Sequence, residues 1–150
     1  MAAITRRAEI HWEGDSRRGG GKLLLSSSGA GGELPVSIPT RSSDDAKGET
    51  SPEELLAASH AGCYTTALSL LLSIGRTPPD HLDTSAVVTL ERSDEGLRIS
   101  RSELTVRGRV PGVEPDKFQE AVRAAEQYCP ISQAISGNVE IAVDAQLEDG

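Results

Sequence analysis

The sequence predicts an α+β protein with the element order βββ-α-ββ-α-β. Three observations lead there. Short β-branched runs separated by glycine-rich turns fill the amino end, and one long apolar helix with clear start and stop signals follows. After it come two alternating strands, an amphipathic helix and a closing strand. Strands arranged in hairpins around two principal helices argue against a doubly wound parallel sheet. Residues 1–150 read as a single domain, large enough to bury a core, with no repeat and no interdomain linker.

Each element has its own warrant. Residues 4–12, ITRRAEIHW, mix period-two character with β-branched residues and read as a strand. GDSRRGGGK is a glycine-rich turn, KLLLSSS a second strand, and LPVSIP a third whose prolines suit an edge. TRSSDDAKGET, residues 40–50, reads as a polar loop long enough to be functional or mobile. Ser51 as N-cap, Pro52 at the first position and Glu54 closing a capping box then start a helix that runs to about Ile74. Gly75, Pro78 and Pro79 stop it. It is apolar almost all round, which predicts a central, buried helix about 35 Å long. SAVVTLERSDEG and LRISRSELTVRGRV share an SDEG turn and form a long hairpin. Phe118, Ala121, Val122 and Ala125 recur at helical spacing, Pro130 interrupts after Cys129, ISQAI adds a turn or two, and VEIAVDAQL closes the fold as a strand.

Composition excludes several functions. Aromatic residues are only 3% of the chain, so Leu, Ile, Val and Ala must build the core. A formal charge of −8 with no basic stripe argues against nucleic acid and against an anionic membrane surface. Arginines interrupt MAAITRRAEI where a secretion signal needs an apolar centre, and residues 55–75 carry His60 and several hydroxyls, too polar to prefer lipid. A cytoplasmic location is expected, where a disulfide is transient and catalytic rather than structural.

The motifs narrow the chemistry further. RRGGGK is followed by Leu and a strand pattern rather than by Ser or Thr and a helix, so it is a hairpin turn and not a phosphate loop. His11, His60 and His81 and two cysteines lack ligand spacing, so neither metal nor another cofactor is expected. Glu53 and Glu54 suit a helix start, and acid–base work is the alternative. Cys63, in SHAGCYTT among small residues, reads equally as core packing or as a reactive thiol. Cys129 precedes a proline that suits the first position of a short helix, where free N–H groups favour a thiolate. Two cysteines each beside a helix make a redox pair.

WEGD, TSPEELLAASHAGC, ALSLLL and CPISQAI resemble the OsmC/Ohr family of thiol-dependent hydroperoxide reductases, closer to its OsmC branch, over nearly the whole chain. The resemblance implies that Cys63 is the peroxidatic cysteine and Cys129 the resolving one. It implies that Glu53 holds an arginine, Arg41 in PTRSS by preference with Arg18 in reserve. A thiol of ordinary pKa, about 8.5, is mostly protonated at neutral pH, and a guanidinium raises its thiolate fraction. It implies organic hydroperoxides, in preference to hydrogen peroxide, as substrates, and an external dithiol of the lipoyl type as reductant; Leu, Ile and Val side chains of the long helix, with Phe118, could line an apolar pocket for them. A protein thiol–disulfide oxidoreductase, which ordinarily uses C-x-x-C, and a redox-inactive binding module on the same fold are the alternatives.

Helix geometry adds an expectation about assembly. Glu53 and Cys63 on one straight helix lie about 15 Å apart along its axis and point roughly 80° apart. A carboxylate cannot close that gap, so an intertwined homodimer is expected, with Cys63 and Cys129 from one chain and Glu53 and the arginine from the other.

Overall fold

Strands β1 (Glu9–Glu13), β2 (Gly20–Leu24) and β3 (Glu33–Ser37) form an antiparallel sheet in that order, in a computed structural model that describes residues 2–149. The chain divides into two compact units, Met1–Pro52 and Glu53–Gly150, and this sheet belongs to the first. Gly20 and Gly21, expected in a turn, lie inside β2: a Cβ at Gly20 would stand 3.2 Å from the Val36 carbonyl oxygen of β3, and β1 leaves no room for one at Gly21. Gly21 pairs with Trp12, and a Cβ there would stand 2.2 Å from the His11 carbonyl oxygen. The turn itself is held by Asp15, whose carboxylate accepts the N–H groups of Arg17 and Arg18 at 2.8 Å each and is held below its ordinary pKa by them.

The segment expected to be a plain loop starts and ends in structure. Ser37 caps a short helix, α1 (Ile38–Arg41), by accepting the Thr40 N–H, with Pro39 in the first turn. The Glu49 carboxylate accepts the hydroxyls of Ser37 and Thr40, which hold its pKa down. Thr50 then bridges to Val36.

The second unit is built on α2 (Pro52–Ile74), which has the extent that its sequence signals predict. Its C-terminal turn is closed by Thr77 N–H donating to Leu72 O at 2.9 Å, and the left-handed residue is Arg76 (φ 64°) rather than Gly75. The long antiparallel hairpin of β4 (His81–Ser93) and β5 (Gly96–Arg109) follows, bulged at Thr89/Leu90. Helices α3 (Pro115–Tyr128) and α4 (Pro130–Ile135) then cross over to β6 (Glu140–Leu147), which pairs in parallel with β5. β5 is therefore the middle strand. Ser102, Leu104, Val106 and Gly108 alternate inward from it, as period two requires.

α2 is long and apolar enough to cross a membrane by length and composition, with a mean hydropathy of 1.4. One face of it lies in a protein core: Tyr64, Leu68 and Leu72 pack with Leu104, Val106, Phe118, Val122 and Ala125. The Tyr64 hydroxyl donates to Val122 O at 2.7 Å, and burial pushes its pKa well up, so it stays a donor. Burial all round the helix is not what the single chain has. Ala58, Gly62, Thr66, Leu70 and Ile74 recur along an exposed face, with Leu70 55% and Ile74 70% accessible. Phe118, for its part, is fully buried in the core. Leu68→Ala, which removes a fully buried side chain under α3, should lower unfolding free energy by about 2–5 kcal/mol in urea titrations.

Candidate functional site: a buried thiol pair

Cys129 occupies the single-residue link between α3 and α4. Pro130 forbids it helical geometry, and it is extended (φ −84°, ψ 110°). Its N–H closes α3 by donating to Ala125 O at 2.9 Å, and its sulfur opens α4 by accepting the Ser132 N–H at 3.4 Å. This junction turns the fully buried Cys129 side chain toward α2, where half-buried Cys63 meets it. Both are free thiols, and the two sulfurs are hydrogen-bond neighbours.

Their environments separate them. Burial pushes the Cys63 thiol up, the adjacent Cys129 sulfur adds to that, and the Ile131 N–H opposes it. Burial also pushes Cys129 up, but hydrogen bonds from the Ser132 hydroxyl, from Cys63 and from the N–H groups of Ser132 and Ile131 outweigh it, and its pKa falls. The sequence places free N–H groups at the start of α4, and those of Ile131 and Ser132 do act on the Cys129 sulfur, in the direction that lowers its pKa. Cys63, by contrast, is shifted the other way.

His60 is a residue whose importance sequence reasoning missed. It is fully buried, with Nδ1 2.7 Å from Ser102 Oγ on β5 and Nε2 2.8 Å from Ser132 Oγ on α4. Ser102 and Ser132 are themselves buried. The available signal was a histidine inside an apolar helical run, since a buried imidazole needs partners.

The other expected residues are placed as follows. Glu53 is buried in the first turn of α2, 8% accessible. α2 runs unbroken from Pro52 to Ile74, so Glu53 and Cys63 stay about 15 Å apart along its axis. Arg41 is half-buried at the end of α1 in the first unit, and Arg18 is exposed in the β1–β2 turn. Among the described residues, His81, Asp83 and Glu148 bring possible metal-ligand atoms within 4.8 Å of one another, all three exposed. His81 Nε2 lies 2.8 Å from Glu148, an ordinary surface ion pair when the ring is protonated.

Two free thiols held together inside an α+β unit, one of them with its pKa lowered by hydrogen bonds, define a thiol-based redox protein. A family model described as OsmC-like protein matches residues 43–144, and the chain belongs to that family. It is 37% identical to Peroxiredoxin OsmC of Escherichia coli K12 over 145 residues, 97% of this chain and 98% of the relative. It is 30% identical over 114 residues to the organic hydroperoxide resistance protein OhrA of Bacillus subtilis, covering 75% of this chain and 79% of that one. The crystal structure of OhrB from the same organism superposes with a TM-score of 0.74 at 26% identity, covering 97% of this chain and all of that one.

Burial holds His60 below its ordinary pKa of 6.5, so the folded chain binds fewer protons there than the unfolded chain. The stabilisation from this group is complete above pH 6.5 and is lost as pH falls below it. Melting temperatures between pH 7.5 and 5 should decline, and His60→Gln, which cannot titrate, should flatten part of that slope.

Proposed function

We propose that the protein is a thiol-dependent peroxidase that reduces organic hydroperoxides to alcohols with Cys63 and Cys129. The observation that carries this reading is the meeting of the chain's two cysteine sulfurs, from α2 and from the α3–α4 junction, in one niche. The names of the relatives, peroxiredoxin and organic hydroperoxide resistance protein, support the same chemistry.

The cycle has three steps. The Cys63 thiolate attacks the terminal peroxide oxygen, the O–O bond breaks, and the alkoxide leaves and is protonated to the alcohol, which makes Cys63 a sulfenic acid. Cys129 attacks that sulfur, an S–S bond forms, and hydroxide leaves as water. An external dithiol, of the lipoyl type by family resemblance, exchanges with the disulfide and restores both thiols. No cofactor is assigned. We place the protein in the cytoplasm, where thiol pools sustain such a reductant.

Because burial and the neighbouring sulfur raise the Cys63 pKa, its reaction calls for a cation. We assign that role to Arg41, with Arg18 as the alternative, and give Glu53 the task of holding the guanidinium through a two-pronged ion pair. The same cation stabilises the departing alkoxide. The unbroken helix between Glu53 and Cys63 favours two chains per site. A second copy laid across the exposed face of α2 covers Leu70 and Ile74, and Gly62, where an added Cβ meets nothing within 4 Å, permits close approach. Ile10 (52% accessible) and Trp12 (37%) leave further apolar surface for a homodimer to cover.

Cys63→Ser should abolish peroxide consumption, whereas Cys129→Ser should consume one equivalent and stop with a sulfenic acid at Cys63, read by mass spectrometry after dimedone trapping. Retention of both free thiols after peroxide addition to the wild type would instead mark a binding module. Co-refolded heterodimers of Cys63→Ser and Glu53→Ala should regain about half the wild-type activity from one intact site of two. Absence of recovery in demonstrated heterodimers would return the whole site to one chain.

A further inference from the structure

His60 has two hydrogen-bond partners and, being neutral, one proton to share between them. A neutral imidazole donates from one nitrogen and accepts at the other. The chain Ser102–His60–Ser132 therefore has two self-consistent directions. In the first, the Cys129 S–H donates to Ser132 Oγ, the Ser132 hydroxyl donates to His60 Nε2, and Nδ1–H donates to Ser102. In the second, every proton is reversed: Ser102 donates to Nδ1, Nε2–H donates to Ser132 Oγ, and the Ser132 hydroxyl donates to the Cys129 sulfur. A Cys129 thiolate has no proton to give, so it accepts only the second direction. The Ser132 N–H donates to the Cys129 sulfur at 3.4 Å, and its hydroxyl, 2.8 Å from His60 Nε2, acts on the same thiol in the direction that lowers its pKa.

We propose that His60 is a positioning residue for disulfide formation: through Ser132, with Ser102 as the far anchor, it turns a hydroxyl proton onto Cys129 and holds that thiol ready as the resolving thiolate. This rests on the peroxidase reading above and adds a reason for a buried histidine that peroxide attack itself does not use. In the assisted step, the Cys129 thiolate attacks the sulfenic sulfur of Cys63 and the S–S bond forms. The S–O bond breaks, and hydroxide departs with the bonding pair and takes a proton from solvent to become water. The Cys129 sulfur is oxidised as the Cys63 sulfur is reduced from the sulfenic to the disulfide level, and the external dithiol later returns both to thiols. His60 stays neutral throughout, since full burial disfavours the imidazolium. The other titratable groups bearing on Cys129 are Cys63 and Tyr64 of α2, with Glu126 acting on Tyr64, and none of them belongs to the relay.

The effect has a readable size. A thiol of ordinary pKa, about 8.5, is only a few per cent thiolate at pH 7, so lowering its pKa toward neutrality raises the reacting fraction about tenfold. Single-turnover mixing with cumene hydroperoxide separates sulfenic acid formation from disulfide closure. His60→Leu and Ser132→Ala should form the sulfenic acid at the wild-type rate and close the disulfide about tenfold more slowly at pH 7. The deficit should shrink steadily as pH rises, because hydroxide then ionises Cys129 without help, which a misplaced helix would not allow. His60→Gln, whose amide keeps a donor toward Ser132, and Ser132→Thr should stay near wild type. A second measurement does not depend on peroxide. In a Cys63→Ser background, the 240 nm thiolate absorbance should titrate with a midpoint about one pH unit higher when His60→Leu or Ser132→Ala is added. An unchanged titration, or closure slowed equally at every pH, overturns the relay. If the wild type ignores peroxide while the titration shifts, the peroxidase reading fails and the relay stands. If His60→Leu does not fold, Ser132→Ala carries both arms.

Discussion

A neutral imidazole bridging two serine hydroxyls fixes how the second unit is assembled. Apolar packing of Leu68, Phe118 and Val122 is strong but non-directional, and leaves α2 free to rotate or slide by fractions of a turn at little cost. Hydrogen bonds from His60 to Ser102 and Ser132 tolerate no such freedom, because an unpaired buried polar atom costs about 1–3 kcal/mol. They register the helix against the central strand and against α4 together. Cys63, one turn along α2 from His60, and Cys129, at the head of α4, are aligned by the same constraint.

The two sulfurs differ because their backbones differ. Cys63 lies within a continuous helix whose N–H groups are committed to their own carbonyls, whereas Cys129 lies where a proline has broken the chain and left first-turn N–H groups to spare. Burial acts on both in the same sense. The helix junction, not the depth of burial, therefore pulls the two pKa values apart. An attacking sulfur in the middle of a helix needs its charge stabilised from outside that helix. That is the physical reason behind the remote arginine and the composite site proposed above.

Much of this was legible in the sequence, and the rest was hidden for identifiable reasons. α2 and the β4–β5 hairpin were readable because Pro52, Gly75 and the SDEG turn act locally. The glycines of β2 were misplaced because their cause is tertiary: the His11 carbonyl that excludes a Cβ at Gly21 belongs to another strand. α1 is four residues long, too short for any period to register. His60 showed only as a histidine inside an apolar helical run, because its partners lie 42 and 72 positions away. The break at Cys129 followed from Pro130 alone, and its pairing with Cys63 was indicated by two cysteines each lying beside a helix and by family resemblance. The helix predicted to be buried all round proved open on one side, because a single sequence does not say whose surface will cover an apolar face.

The parallel pairing of β6 with β5 sets when the thiols meet during biosynthesis. Chains emerge at roughly 5–20 residues per second, so Cys63 precedes Cys129 out of the ribosome by several seconds. The crossover through α3 and α4 is anchored only after β6 has followed it. Until then Cys63 rides on an apolar helix beside the β4–β5 hairpin, without a fixed sulfur partner. A nascent chain in this interval is exposed to oxidation before it can repair it, so premature encounter with peroxide falls on a cysteine that has no second thiol to rescue it.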